Sequence, residues 1–295
     1  MAFGTGKPRR AAAALLLAAL AAGGGRAQEA PAGAAPLPLW ELGAGLGAAQ
    51  LPHYRGSDEY HRYVLPFPYL AYRGRMLRAD RGGLRGIFVE RPRWVTELSF
   101  GGSLPVDEDN RAREGMPPLD AAVEAGPALR VFLRPRTADW NLYARPACRA
   151  VWAVDLGEPA WAWEGARVLL TVGAYARGVV PAPWRAGVSA GVDGGDRGYH
   201  RYYYRVRNEE ARPDRPAYDP RAGYGGFHLA WYAARDIAPR LTLGLYARWE
   251  HAGGAVYEDS PLVRERDNWL GGAALTWKFW RSARAAAAPD EEEQP

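Results

Sequence analysis

Apolar and polar side chains alternate with a period of two along most of the chain from Trp40 onward. The clearest example is residues 139–155. One face of that segment is apolar, with Trp140, Leu142, Ala144, Cys148, Ala150, Trp152 and Val154. The other face is mostly polar, with Asp139, Asn141, Tyr143, Arg145 and Arg149. This period is typical of β-strands that face an apolar environment on one side, so the pattern predicts an all-β protein.

Twelve segments share the pattern and predict twelve strands in a single domain. The segments are 40–50, 63–72, 76–90, 94–103, 122–133, 139–154, 161–177, 184–193, 197–206, 223–234, 240–250 and 269–280. Many of them exceed the length of soluble strands, which average about five or six residues. A tilted strand that crosses a bilayer needs about 9–11 residues. With Trp and Tyr at the segment ends, this length favours a transmembrane antiparallel β-barrel over the alternative, a soluble β-sandwich.

A barrel in lipid turns its apolar faces outward and its polar faces into the lumen, because strands can cross lipid only when the sheet is closed. The polar faces carry charges of both signs. The residues predicted to lie inside are Glu41, Glu97, Glu124, Asp193, Glu250, Arg130, Arg145, Arg149, Arg167, Arg177, Arg185 and Arg248. Paired charges would plug the lumen, whereas a porin keeps it filled with water. The pattern leaves both possibilities open.

The two ends of the chain differ from the strand region. Residues 1–27 have a basic start, an apolar stretch at 11–22 and small residues before Gln28, which predicts a secretory signal peptide. Residues 28–39 are interpreted as a flexible lead-in and the acidic residues 281–295 as a disordered tail. Removing 1–27 lowers the formal net charge from +5 to +1. A nucleic-acid partner is therefore not expected.

The sequence contains no pattern that indicates catalysis. The lone Cys148 excludes a disulfide scaffold, and no serine lies in a nucleophile elbow. His53 and His61 could bind a metal with nearby carboxylates, but their spacing matches no metal template, which favours a solvated loop. The glycine-rich stretches lack the helix that a phosphate loop needs. We expect no enzyme activity, no metal and no cofactor.

Two motifs give the chain a family resemblance. The first is Tyr-Arg-Gly-Ser-Asp at 54–58, and the second is Asn-Arg-Ala-Arg-Glu-Gly-Met-Pro at 110–117. With Asp-Ser-Pro-Leu-Val-Arg-Glu-Arg-Asp at 259–267, they make the chain similar to the MipA/OmpV family of outer-membrane proteins, the MltA-interacting proteins. The resemblance extends from Trp40 to Phe279.

The resemblance implies a β-barrel in the outer membrane of a Gram-negative cell. For some members it implies a scaffold that brings a lytic transglycosylase and a penicillin-binding protein together for murein synthesis. For others it implies a porin-like channel or a surface adhesion protein. One departure is that such barrels usually end on an aromatic residue, whereas here Phe279-Trp280 is followed by more chain.

An even number of strands puts both chain ends in the periplasm. The strand count then predicts that 104–121 is periplasmic and that 51–62, 134–138, 178–183, 207–222 and 251–268 lie outside the cell. The loop 104–121 would present Asn110, Arg111, Arg113, Glu114 and Met116 to a periplasmic partner. Two alternatives stay open. The loop could fold into the lumen, or residues 76–90, with Gly82-Gly83, could form a hairpin that reverses the side of every later loop.

Overall fold

A computed structural model describes residues 37–286 except 81–82, 107–109, 137, 156–159 and 178–183. The described residues form twelve strands, one α-helix and two 3₁₀ turns. The strands are β1 (Trp40–Pro52), β2 (Tyr60–Arg73), β3 (Leu77–Asp80), β4 (Gly83–Glu90), β5 (Trp94–Ser103), β6 (Ala121–Phe132), β7 (Trp140–Val154), β8 (Trp161–Arg177), β9 (Trp184–Gly195), β10 (Gly223–Ala238), β11 (Leu241–His251) and β12 (Asp267–Arg281). The helix α1 is Arg197–Tyr204, and the 3₁₀ turns are Arg111–Arg113 and Asn208–Glu210. None of the helices in the described residues is long and apolar enough to span a membrane.

The strands form one closed antiparallel barrel in which each strand pairs with its neighbours in sequence. The ring closes where β12 returns to β1, with a ladder that runs from Glu41↔Arg281 to Gln50↔Gly271. The predicted all-β transmembrane barrel of about twelve strands in one domain is therefore confirmed.

Two of the predicted segments were nevertheless wrong, and their errors cancel in the count. Segment 76–90 is not one strand but the short hairpin β3–β4, which turns between the paired residues Asp80 and Gly83.

Segment 197–206 is the helix α1 instead of a strand. Asp196 caps it, because its side chain accepts a hydrogen bond from the Tyr199 N–H at 2.8 Å. Its buried residues are Tyr199, His200, Tyr203 and Tyr204, which lie one helical turn apart in two pairs. A short run of Tyr, His and Arg side chains does not distinguish a strand from a helix by its pattern, and the packing of the buried face favours the helix.

The outer face of the barrel is apolar. Its exposed side chains include Leu46, Val64, Leu70, Leu142, Val168, Leu170, Val172 and Leu275. Exposed tryptophans mark two levels, with Trp161, Trp163 and Trp269 near one end of the barrel and Trp94, Trp140 and Trp280 near the other. Trp269 and Trp280 lie on one strand, and at the usual rise and tilt their separation corresponds to about 28 Å of height. That is the height of an outer-membrane apolar band between aromatic girdles.

The two ends of the barrel carry very different connections. At the end that also holds both chain termini, the terminal end, the connections are 74–76, 91–93, 133–139, 178–183 and 239–240. At the opposite end, the loop end, they are 53–59, 104–120, 155–160, 196–222 and 252–266. β3 ends at Asp80 and β4 begins at Gly83, part of the way up the wall.

This arrangement corrects the predicted sides of several loops. Loop 104–120 lies at the loop end, together with 53–59, 196–222 and 252–266, whereas 134–138 and 178–183 connect strands at the terminal end. The cause is the β3–β4 hairpin, which adds one crossing before β5. The alternative in which 76–90 forms a hairpin is the one that the structure adopts.

Backbone pairing continues past β12. Ala286 N–H donates to the carbonyl of Leu37, and Leu39 N–H donates to the carbonyl of Arg284. Residues 282–286 thus run beside 37–39, so the predicted lead-in and tail meet the barrel as paired backbone. The predicted signal peptide 1–27, the lead-in up to 36 and the acidic residues 287–295 lie outside the described residues.

The strand count predicts which sites share a compartment. In a Cys148→Ala background, cysteines at Glu114 and Arg221 should react with a membrane-impermeant maleimide in intact cells, since both belong to loop-end connections. A cysteine at Arg93, in a terminal-end turn, should react only after the outer membrane is permeabilised. Equal labelling at Glu114 and Arg93 in intact cells would refute the topology.

Candidate functional site

The four longest loops of the loop end meet over the lumen and are called the cap. They bury one cluster of side chains that includes Tyr54, Tyr199, Tyr203, Tyr204, Tyr257, Val106, Met116, Leu119, Val206 and Leu262. The rings of Tyr204 and Tyr257 stack with their centroids 3.7 Å apart. Ala122 of β6 and Val151 of β7 belong to the same cluster, so the cap sits inside the mouth of the barrel.

The Tyr-Arg-Gly-Ser-Asp motif at 54–58 joins the cap to the barrel. Gly56 has a φ of +93°, a left-handed conformation that favours glycine, and its N–H donates to Asn268 Oδ1 at 2.6 Å. Asn268 in turn donates to the carbonyl of Ser57 at 2.8 Å. This tight turn directs the side chain of Arg55 downward into the lumen, where it reaches two carboxylates.

The second motif, 110–117, lies in the cap, at the opposite end of the barrel from the chain termini. Asn110, Arg113 and Met116 are buried there. Asn110 Nδ2 lies 3.0 Å from His53 Nδ1 and donates to Ser57 Oγ at 3.2 Å. Asn110, Arg113 and Met116 thus pack inside the cap and are not exposed to a partner.

The other two predicted partner residues are exposed and paired within the cap. Arg111 Nε donates to Glu59 at 2.8 Å, and Arg212 donates to Glu114 at 3.2 Å. Burial raises the pKa of Glu59, but the hydrogen bonds and the charge of Arg111 together outweigh burial and hold that pKa below its usual value. The described part of the loop thus covers the mouth, and Arg111 and Glu114 pair with cap residues instead of the lumen charges that the lumen-folding alternative required.

Below the cap, seven charged side chains form a continuous chain of ion pairs across the lumen, called the charged belt. In order, they are Arg149, Glu124, Arg167, Asp193, Arg55, Glu250 and Arg248. Successive N···O distances lie between 2.6 and 3.0 Å. The belt reaches from β6 to β11 on the far side of the ring. Each carboxylate contacts two guanidinium groups, which offsets the cost of removing these charges from water.

Smaller ion-pair groups lie closer to the terminal end. Glu97 accepts from Arg145 at 2.7 Å and from Arg130 at 3.1 Å. The remaining groups are Glu41 with Arg73, Glu90 with Arg78 and Arg136, and Asp236 with Arg185 and Lys278.

The structure places almost all the charges predicted for the interior in these groups. Glu41, Glu97, Glu124, Asp193, Glu250, Arg130, Arg145, Arg149, Arg167, Arg185 and Arg248 each take part in an ion pair there. The side chain of Arg177 lies outside the described set. Arg55 is not among the charges predicted for the interior, because it lies in a loop and belongs to no alternating face. The only signal for it was its place in the first motif.

Two cap residues have altered acid–base behaviour. Burial alone would lower the pKa of Arg55, but Glu250 and Asp193 outweigh it and hold that pKa well above its ordinary value. Burial lowers the pKa of His200, which is completely buried beside Tyr199, Tyr204 and Tyr257. Its Nε2 lies 3.2 Å from the Gly223 carbonyl, so the neutral ring donates there.

A cavity of about 330 Å³ separates the cap from the charged belt. Its wall contains four guanidinium groups, from Arg55, Arg149, Arg167 and Arg248, and two carboxylates, from Glu124 and Glu250. Tyrosines of the cap form its roof, including Tyr199 and Tyr203. Strand ends complete the wall, with His61 from β2 and Gly101–Leu104 at the end of β5.

The described residues contain no cluster of three or more His, Cys, Asp or Glu side chains that could hold a metal ion. His53 and His61 instead stack on each other with ring centroids 3.9 Å apart. Cys148 is an exposed free thiol on the outer face of β7.

A closed antiparallel barrel with an apolar outer face, two tryptophan levels and a charged interior defines an outer-membrane β-barrel protein. The model of one protein family, MltA-interacting protein MipA, matches residues 44–279. The chain belongs to this family.

Several solved barrels are similar to the chain at low identity. The NanC porin is 8% identical, with a TM-score of 0.34, and the match covers 81% of this chain and 99% of that one. An outer-membrane channel from Pseudomonas putida F1 is 10% identical, with a TM-score of 0.41 and coverage of 85% and 100%. The toluene transporter TodX from Pseudomonas putida is 11% identical, with a TM-score of 0.33 and coverage of 88% and 97%. No curated protein matches the chain.

Replacing Arg55 should destabilise the protein, since Asp193 and Glu250 would each lose a buried cationic partner. Arg55→Ala should cost about 3–5 kcal/mol, the range for breaking one side of a buried ion pair. Arg55→Lys keeps the positive charge but loses the planar guanidinium that donates to both carboxylates, so it should lower the free energy of unfolding by less. The measurement is the urea midpoint of the heat-modifiable band on gels. The control is Arg62→Ala, at an exposed arginine on β2, which should change stability by less than about 0.5 kcal/mol. Equal effects at Arg55 and Arg62 would contradict the role of the belt.

The cap should become less stable as the pH falls below about 6.5, the ordinary pKa of histidine. The pKa of buried His200 is lowered, so below that pH the undocked helix binds a proton that the docked helix does not. Stability therefore rises with pH up to about 6.5 and levels off above it. Hydrogen exchange of α1 at pH 5 and pH 7.5 measures this. His200→Gln keeps a donor but does not titrate, and it should remove most of the difference. An unchanged pH dependence in that variant would assign the effect to another group.

Proposed function

We propose that this protein is a membrane-embedded docking platform whose terminal end holds a murein-processing enzyme in the periplasm. The description of its family, MltA-interacting protein, supports a partner of this kind, a lytic transglycosylase. A penicillin-binding protein is the second partner that the proposal allows. Outer-membrane barrels have short periplasmic turns and long external loops, so the terminal end faces the periplasm.

The observation that carries the proposal is a ring of exposed arginines at the terminal end, called the arginine rim. It consists of Arg75, Arg91, Arg93, Arg235, Arg240, Arg281 and Arg284. Among the described residues of that end, Asp139 is the exposed carboxylate, and Glu41, Glu90 and Asp236 are engaged in ion pairs. The rim therefore presents a strongly positive surface on a rigid scaffold. Such a surface steers and orients an acidic partner.

The platform differs from the predicted one in its residues. The partner surface lies on the strand ends and short turns, not on loop 104–121. Turns held by a closed barrel keep the same arrangement before and after binding, which lowers the ordering cost of association.

A channel for small solutes is the second candidate, and the 330 Å³ cavity favours it. The cap and the charged belt both lie across the path of a solute, so passage would require the cap to move. Planar-bilayer recordings distinguish the two. A silent trace supports the platform, and large stable conductance steps support the channel.

Reversing charges on the rim should weaken partner capture without affecting the barrel. We expect Arg91→Glu with Arg93→Glu to reduce pull-down of a lytic transglycosylase from solubilised envelopes at least tenfold, since two attractive charges become repulsive. The matched control is Arg205→Glu with Arg221→Glu, which reverses two exposed arginines at the loop end. Heat-modifiable mobility checks that each variant folds. If both pairs of substitutions reduce capture equally, or neither does, the rim is not the docking surface.

A further inference from the structure

The wall of the barrel has a gap between β2 and β5. Among the described residues, β2 pairs with β3 at Tyr72 and Arg73, although it extends up to Tyr60. By this register Asp80, the last residue of β3, lies level with Ala71, so residues 60–68 of β2 extend beyond β3. At the usual rise this stretch of β2 is about 30 Å long. The end of β5 likewise extends past β4, whose pairing with β5 reaches Ser99.

Two prolines indicate that this edge of β2 is built to stay open. Arg73 N–H points toward β1, since it donates to the carbonyl of Leu39. The backbone N–H and C=O groups of an antiparallel strand point alternately to its two neighbours. Those of the even-numbered residues of β2 therefore point away from β1, toward β3 and the gap. Pro66 and Pro68 are even-numbered and lack an N–H. They remove two donors from an edge where each unsatisfied donor in lipid costs several kcal/mol.

The gap has defined borders. The β3–β4 hairpin forms its lower border. At the top, Asn110 ties the loop that follows β5 to His53 and Ser57 in the loop that precedes β2. The outer rim is apolar, with exposed Val64, Leu70, Leu84 and Phe100.

The cavity lies directly behind the gap. Its wall includes His61 on the β2 side and Gly101–Leu104 on the β5 side. Gly101 faces the Arg149–Glu124 ion pair, and a side chain there would collide with both groups. The bare glycine keeps the path from the gap to Arg149 clear. Asp193 pairs with Arg55 and Arg167 directly behind the wall, so the four guanidinium groups face three carboxylates and one positive charge remains in excess.

We propose that this gap is a lateral portal through which a bilayer amphiphile with an anionic head enters the cavity. Its alkyl chain lies against Val64, Leu70 and Phe100 at the portal, and its head contacts Arg149 and Arg167. The polar head and the water that accompanies it supply partners for the remaining backbone groups of the β2 edge. Non-helical backbone at membrane depth is tolerated where it lines such a polar cavity.

The first test measures affinity for three probes in nanodiscs of neutral lipid. Dodecyl phosphate should bind with a stoichiometry of one, at least tenfold more tightly than inorganic phosphate or dodecyltrimethylammonium. Arg149→Gln should lose at least tenfold in dodecyl phosphate affinity. The matched control is Arg130→Gln, which breaks a similar pair with Glu97 but lies outside the cavity wall, and it should bind as the wild type does. Equal binding of inorganic phosphate would mean a soluble anion that enters through the cap, and preference for the cationic probe would overturn the proposal.

The second test needs no variant, so it stands even if Arg149→Gln fails to fold. A dodecyl phosphate with a diazirine in its chain should crosslink to residues 62–70 of β2 and 100–104 at the end of β5. Crosslinks spread evenly around the barrel would mean ordinary annular lipid and would sink the portal. Crosslinking confined to the portal in monomers supports it. Exclusion of the probe by a dimer joined along the β2 edge would assign that edge to a second copy instead.

Discussion

A bilayer offers no water to backbone N–H and C=O groups, and this constraint governs the whole architecture. It requires the last strand to return to the first, which β12 does along ten residue pairs of β1. It also explains why the upper edge of β2, where the ring of described strands is incomplete, contains prolines at the positions whose backbone points away from β1. The closed seam and the interrupted wall are thus two responses to the same requirement.

Inside this ring, Arg55 connects parts of the molecule that the backbone leaves separate. It descends from a loop and pairs with Asp193 of β9 and Glu250 of β11, which are not neighbours in the sheet. The same loop is fixed from above, since Tyr204 donates to the Arg55 carbonyl at 3.0 Å. The cap, the charged belt and the ceiling of the cavity therefore depend on one another. A displacement of the helix α1 would therefore move Arg55 and weaken its ion pairs with Asp193 and Glu250.

Much of this could be predicted from alternation alone, because a period of two reports directly which side chains face lipid. Strand positions such as β7 and β8, and interior charges such as Glu97, Glu124 and Arg149, follow from it. Alternation does not indicate where the chain reverses within a segment, so it predicts one strand where the structure has the β3–β4 hairpin. It also cannot separate a strand from a short helix rich in Tyr and His, as in α1. Both errors depend on tertiary packing and turn geometry, which a local pattern does not contain.

The site was harder to predict than the fold for a related reason. Arg55 and Tyr257 come from loops, which have no periodicity to identify an inward face, and Tyr204 comes from the short helix α1, whose pattern resembles a strand. The two motifs lie in segments that form the cap, but the sequence predicted that the second motif would form a surface for partners. In the structure Asn110 and Arg113 are interior parts of the cap.

The short β3–β4 hairpin has a consequence for the size of the barrel. β2 and β5 run in opposite directions, so without the hairpin they could pair directly and close a ring of ten strands. The hairpin inserts two short strands between β2 and β5 in the half of that ring nearest the chain termini. Twelve strands surround the lumen near the chain termini, whereas ten strands and the gap between β2 and β5 surround it near the loops. The cap therefore covers a mouth whose wall is interrupted on one side, and Asn110, which contacts His53 and Ser57, spans that side.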